Sequence, residues 1–183
     1  MLENYKEHVE ERLGQGIPPL PLNAEQVSEL VELLKSPPSG EEEYILDLIT
    51  NRNPAGVDPA AYVKAAFLTA IAKGETNSPL IDKKHATKLL GTMLGGYNVE
   101  SLLGLLEDEE VGSLAAEGLS KTLLMFNAKH DVIELAERNE NAQRVVDSWS
   151  NGEWFTNKPK LPEVIKAIVF RVEGEINTDD LSP

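Results

Sequence analysis
The sequence predicts an all-α chain, a stack of antiparallel helix pairs, followed near its end by one strand. Three observations carry that reading. Apolar residues recur at helical spacing in segment after segment as far as residue 150. Cap residues and helix breakers punctuate those segments at short intervals. Helix pairs open near residues 24, 59, 98 and 128, at intervals of 35, 39 and 30. This is an irregular form of a helical-repeat period, in which each pair buries its face only against its neighbours.

Leu2, Tyr5, Val9 and Leu13 share one helix face, so residues 2–13 form an amphipathic helix stopped by Gly14 and Gly16. Ile17 to Leu22 contains three prolines and must be extended, because proline lacks the N–H a helix needs. Asn23 with Gln26 is a capping box, and it opens a helix with Val27, Leu30, Val31 and Leu34 inward until Pro37-Pro38. Ser39 with Glu42 reads as a second box before Tyr44, Ile45, Leu48 and Ile49. Asp58-Pro59 supplies a cap and a first-turn proline for a helix facing inward through Tyr62, Val63, Ala66, Phe67, Ala70 and Ile71, and Gly74 ends it. Asp82 caps a helix running through Leu90 to Leu94, broken by Gly95-Gly96, and Asn98 caps Val99 to Leu106. Residues 109–126 are expected to be helical with a bend near Gly118 and with Leu114, Leu119, Leu123 and Phe126 inward. Residues 128–138 and 141–150 make the last pair.

Beyond Trp154 the pattern changes. Asn157, Pro159 and Pro162 form a linker, and Ile168, Phe170 and Val172 then alternate with Val169, Arg171 and Glu173, a period of two that reads as a strand. A lone strand cannot satisfy its own backbone groups. The expectation is therefore a helical domain over 1–155, then a linker and the beginning of a second, truncated β-rich domain over 156–183. Trp149, Trp154 and Phe155 are expected to pack the last helix pair onto whatever follows.

Charge excludes several classes of function. The 183 residues include 31 acidic and 17 basic side chains, a net charge of -14. Residues 1–50 hold 3 basic and 11 acidic groups and residues 101–150 hold 4 and 10, whereas 51–100 hold 6 basic and 4 acidic. Such a surface repels phosphate backbones, which argues against non-specific nucleic-acid binding. The local exception is Lys83, Lys84 and Lys88, of which 84 and 88 lie one helical turn apart; their simplest reading is the solvated face of a helix. No apolar run approaches the roughly 20 residues of a transmembrane helix, and the acidic, amphipathic start is no secretory signal. The composition points to a soluble, intracellular chain.

Chemistry-bearing constellations are few. With no cysteine, the chain offers no disulfide, no thiol nucleophile and no thiolate ligand. His8, His85 and His130 are the only histidines. His130 and Glu134 share a helix face, but a metal site needs three or four ligands, so no metal is assigned. Glu41 to Glu43 and Glu107 to Glu110 sit at helix N-termini, where carboxylates complement the macrodipole. The glycines of 90–97 follow a helix and lack a Gly-Lys-Ser/Thr ending, so they make no phosphate loop. No catalytic, cofactor-binding or metal-binding residue is assigned.

Five segments, in order, carry a family resemblance: GIPPLPLNAEQ from Gly16 to Gln26, AYVKAAFL from Ala61 to Leu68, LLGTMLGGYN from Leu89 to Asn98, EWFTN from Glu153 to Asn157 and GEINTDDLSP from Gly174 to Pro183. Together they resemble the N-terminal part of the aconitase B family, bacterial aconitate hydratases that also act as 2-methylisocitrate dehydratases. The resemblance implies a HEAT-like helical domain followed by the start of a swivelling β-rich domain. It implies a parent lyase of the tricarboxylic acid and methylcitrate cycles, cytoplasmic, which interconverts citrate and isocitrate through cis-aconitate. It implies a 4Fe–4S cluster whose cysteine ligands lie outside this chain, so that the chain alone is inactive. For this portion it implies contact with the catalytic domains of the same polypeptide, homodimerisation and substrate channelling. It also implies messenger RNA as a partner, for which Lys83, Lys84 and Lys88 are the candidate contacts. The alternative reading is a stand-alone helical scaffold for a protein or RNA partner.

Overall fold
The computed structural model describes residues 1–122, 127–158, 160–169 and 174, and every regular element among them is an α-helix. The helices are α1 (Leu2–Gly14), α2 (Ala24–Lys35), α3 (Glu42–Asn51), α4 (Pro59–Ala72), α5 (Lys83–Gly91), α6 (Val99–Leu105), α7 (Gly112–Ser120), α8 (Lys129–Ala136), α9 (Glu140–Ser150) and α10 (Glu153–Thr156). Two compact units divide the chain: residues 1–20 with 160–183, and residues 21–159. No helix of the described residues is long and apolar enough to cross a membrane.

In the first unit α1 is followed by a segment folded back along it. The Tyr5 hydroxyl donates to the Leu20 carbonyl at 2.7 Å, the Leu20 N–H donates to His8 Nε2 at 3.0 Å, and Arg12 Nε donates to the Pro18 carbonyl at 2.9 Å. Side chains thus satisfy a proline-rich strip that has no ladder of its own. Of the expected apolar face only Tyr5 is buried; Leu13 is exposed. Ile168 and Val169 lie in no regular element and are 83% and 88% exposed. The remainder of the expected strand, Phe170 to Glu173, lies outside the described residues.

The second unit is a ladder. α2 packs on α3 and α4, α4 on α5, α5 on α7, α7 on α9 and α9 on α8; α6 sits against α5 and α7, and α10 against α9. Each helix touches its neighbours and little else, as the spacing of pair starts predicts. The core runs through this ladder as Leu30, Leu34, Ile45, Leu48, Leu68, Leu90, Leu102, Leu119 and Val145. Each such side chain contributes about 1.5–3 kcal/mol on burial.

Local chemistry sets the helix ends. Asn23 and Gln26 form the reciprocal box, and Asp58 and Asp82 accept from the Ala60 and His85 amides. Gly74 takes a φ of +74°, the left-handed stop. Two expected caps are different in kind. Ser39 makes no box with Glu42: α3 starts at Glu42, whose carboxylate accepts from the Gly40 amide at 2.7 Å in a turn where Gly40 has a φ of +88°. Asn98 does not cap α6 with its side chain. It is buried and points back to α5, donating to the Leu90 and Met93 carbonyls at 2.7 and 3.3 Å, so it closes one helix C-terminus instead of opening the next. Asn139 supplies an unforeseen cap, accepting from Ala142, while Asn139 and Asn141 both donate to the Leu106 carbonyl.

Two inward faces also differ from expectation. α4 buries Ala60, Ala61, Lys64, Ala65, Leu68 and Ala72 with Phe67 and Ile71, and leaves Tyr62 60% exposed. An alanine-rich helix apolar on nearly every side has no phase for periodicity to find. α5 ends at Gly91, short of the expected Leu94. α7 covers only Gly112–Ser120, with Ala115, Ala116 and Leu119 buried and Leu114 half-buried; Leu123 and Phe126 lie outside the described residues. Gly118 marks a close approach to α5. A Cβ there would fall 2.8 Å from the Gly91 Cα and 3.1 Å from Leu102 Cδ1.

Gly118→Ala should therefore destabilise the chain, because overpacking against backbone costs about 1–3 kcal/mol and exceeds the helix-propensity gain of up to about 1 kcal/mol. Gly104→Ala, on α6 with open space around it, should do the opposite. Urea unfolding midpoints check this pair: a lower midpoint for the first and a higher one for the second.

Candidate functional site
The three lysines singled out by the charge pattern all lie on α5, but they do not form one free basic patch. Lys83 Nζ binds Asp108 Oδ2 at 2.6 Å with both side chains largely covered, and Lys84 lies 3.9 Å from Glu110 Oε1. The Lys83 hydrogen bond, helped by the Glu110 and Val111 amides against partial desolvation, holds Asp108 below the usual carboxylate range. The acidic run after α6 thus neutralises the front of α5. Lys88, one turn on, has no carboxylate partner within ion-pair distance among the described residues. It lines a cleft of about 320 Å³ with Gly91, Leu114, Glu117, Gly118 and Lys121.

That cleft shares Glu117 and Lys121 with a larger one of about 430 Å³, whose wall continues through Arg144 on α9 to Glu153, Trp154 and Lys158. Lys121 Nζ lies 2.8 Å from Glu117 Oε1. That hydrogen bond and the Lys121 charge, with smaller effects from Arg144 and Lys88, hold Glu117 below its ordinary range despite some desolvation. Among the described residues Arg144 donates only to Ser113 Oγ, at 3.1 Å, and Lys158 sits 5.4 Å from the Phe155 ring centroid. Trp149 Nε1 donates to the Leu119 carbonyl, tying α9 to α7. Trp154 and Phe155 remain exposed, their rings meeting edge to face. Periodicity alone does not bring these groups together, since Lys88 lies on α5, Lys121 just past the end of α7 and Arg144 on α9.

A second surface missed by the sequence lies at the start of α4. Tyr62 and Tyr97 meet edge to face with centroids 5.4 Å apart, and the Tyr97 hydroxyl donates to the Val57 carbonyl at 3.0 Å. Gly95 and Gly56 approach so closely that a Cβ on Gly95 would strike the Gly56 backbone, which requires glycine at 95, while Gly96 takes a φ of +95°. Val57 and Leu94 are exposed nearby. Beside them Val31, Lys35, Tyr62, Val63, Phe67 and Ala70 line a shallow groove of about 390 Å³ between α2 and α4.

His130 and Glu134 are both exposed, and no group of three metal-ligating side chains comes together among the described residues. With no cysteine in the sequence, these residues do not fit an iron–sulfur cluster. The arrangement has grooves and exposed aromatic rings suited to binding, and a helical scaffold that presents them. It is the architecture of a helical-repeat domain. The chain belongs to the aconitase B family: the family model described as "Aconitate B N-terminal domain" matches residues 4–155. It is 62% identical along its whole length to aconitate hydratase B of Pseudomonas aeruginosa, 57% to that of Escherichia coli and 46% to that of Helicobacter pylori. It spans about a fifth of the length of these relatives, 21% of the first two and 22% of the third.

Among the described residues one charged side chain is in the core. Lys64, only 6% exposed, donates to the Thr50 carbonyl at the C-terminus of α3 at 3.2 Å, while Asn53 Nδ2 donates to the Leu48 and Ile49 carbonyls. The helix end favours a cation there, yet burial lowers the amine from its ordinary 10.5 to about 8. The unfolded chain therefore binds more protons than the folded one between those two values. Stability should climb as pH rises from about 8 towards 10 and carry the full burial penalty below 8, at about 1.4 kcal/mol per pKa unit. Lys64→Met should remove that slope in denaturation curves taken from pH 7.5 to 10. An unchanged slope would show that Lys64 is not its source.

Proposed function
We propose that this chain is the N-terminal portion of an aconitate hydratase, a lyase that interconverts citrate and isocitrate through cis-aconitate and also dehydrates 2-methylisocitrate. The observation that supports it is identity of 62% over the whole chain with an aconitate hydratase B. On this reading residues 1–155 form the HEAT-like domain and 156–183 are the linker and the beginning of the swivel domain. The exposed, non-helical run from Leu161 to Val169 is then a segment that the following domain would cover. The parent is cytoplasmic and carries a 4Fe–4S cluster, which supplies Lewis acidity when bound. Its ligands come from outside these 183 residues, because the chain holds no thiolate.

The role of this portion is to hold contacts: with the catalytic domains of the same polypeptide, with a second copy, and along the path by which substrate is channelled. Protein contact is favoured over RNA. RNA binding through Lys83, Lys84 and Lys88 would have to displace Asp108 from Lys83 and Glu110 from Lys84, which leaves Lys88 alone to meet phosphate. The net charge of -14 opposes it further.

Two measurements test the assignment. The full-length protein, loaded anaerobically with iron and sulfide, should convert citrate to isocitrate, followed by cis-aconitate absorbance. The 183-residue chain treated identically should show neither turnover nor thiolate-to-iron charge-transfer absorbance. A full-length protein inert towards citrate and 2-methylisocitrate would overturn the hydratase reading, and a stoichiometric cluster on the chain alone would overturn the placement of its ligands.

A further inference from the structure
We propose that the groove formed by Lys88, Lys121, Arg144 and Lys158 docks an extended acidic segment of a partner polypeptide. The proposal rests on the reading of the helical stack as a contact surface and names the chemistry of one contact. Three observations carry it. In a chain of net charge -14, four cations and two carboxylates, Glu117 and Glu153, line two clefts that share Glu117 and Lys121. Positive potential is thereby concentrated in a concave strip whose surroundings repel anions, the arrangement that focuses an anionic partner into one place.

The second observation is availability. Lys83, Lys84 and Arg138 are held by Asp108, Glu110 and Glu107. Among the described residues Lys88, Arg144 and Lys158 have no carboxylate within 4 Å, and Arg144 spends one nitrogen on Ser113 Oγ and keeps its others for a ligand. The ladder that places them together also leaves them unpaired.

The third is shape and mixed polarity. Packed helices stand about 8–10 Å apart, so a path from α5 across α7 and α9 to α10 is about 20–30 Å long. An extended peptide advancing about 3.3 Å per residue covers it with roughly six to nine residues. A small polycarboxylate is too short to reach from Lys88 to Lys158. Glu117 and Glu153 would repel a phosphate backbone, whereas a peptide has N–H donors to offer them. Trp154, exposed at the far end, gives an apolar side chain of such a segment a ring to pack on.

The test is fluorescence anisotropy of the 183-residue chain with a fluorescein-labelled ten-residue peptide of alternating glutamate and leucine. A lysine–leucine peptide, a ten-nucleotide oligouridine and citrate serve as competitors. The acidic peptide should bind at low salt, weaken as salt rises, and lose about tenfold or more in affinity in Lys88→Glu/Arg144→Glu. The control Lys73→Glu/Lys129→Glu, which reverses two exposed lysines outside the groove, should bind like the unaltered chain. Should the double variant fail to fold by circular dichroism, Lys158→Glu, beyond the end of α10, carries the same comparison. Equal affinity in the charge-reversed chain, no binding by the unaltered chain, or displacement by oligouridine or citrate at lower concentration than by unlabelled peptide each overturns the groove. None of those results bears on the hydratase assay, so failure here is distinguishable from failure of the enzyme assignment.

Discussion

The contact on which the stack depends is the meeting of two backbones, Gly91 at the end of α5 and Gly118 in α7. With no side chain on either, the helices approach until a Cβ on one would press on the Cα of the other. That approach joins α5 to α7, and with α6 lying against both it links the two halves of a ladder in which each helix packs on its neighbours. Interiors are packed too densely for a methyl group to be absorbed at such a point. Next to it the Asn98 amide closes the carbonyls at the end of α5, so the same corner is held by sterics on one side and hydrogen bonds on the other.

The same crossing arranges the charges. Lys88 stands one turn before Gly91, and Glu117 and Lys121 flank Gly118, so the close approach of the helices places these side chains at one cleft. α9 adds Arg144 because Asn139 and Asn141 hold its start against the Leu106 carbonyl and Trp149 holds its end against Leu119. Of the acidic run 107–110, Asp108 and Glu110 are taken up by Lys83 and Lys84 at the other end of α5. Electrostatics at this surface follow from packing, and an acidic chain can still offer a local cationic strip.

Much of the fold was legible because it is written in short-range chemistry. The caps at Asn23, Asp58 and Asp82 and the stop at Gly74 depend on residues within a few positions of each other, and pattern reading finds them. Ser39 misled because a left-handed Gly40 intervenes and hands the Glu42 carboxylate to its own amide. Asn98 misled because its partners are eight and five residues behind it, in the turn it closes. The face of α4 was illegible for lack of contrast: when nearly every position is apolar, only tertiary contact decides that Tyr62 looks outward and Lys64 inward. The candidate site was the least legible part. Lys83 and Asp108 are twenty-five residues apart, and nothing in their spacing announces an ion pair. The family, by contrast, was legible in long uninterrupted strings that periodicity arguments do not use.

α5 and α7 are joined so closely that the second unit should unfold as one cooperative body. Native-state hydrogen exchange across residues 21–159 measures this directly. The slowest amides of α2, α4, α5, α7 and α9 should exchange with a single free energy, equal to that of global unfolding. Two populations, with α2 to α5 opening at one free energy and α7 to α9 at another, would contradict it.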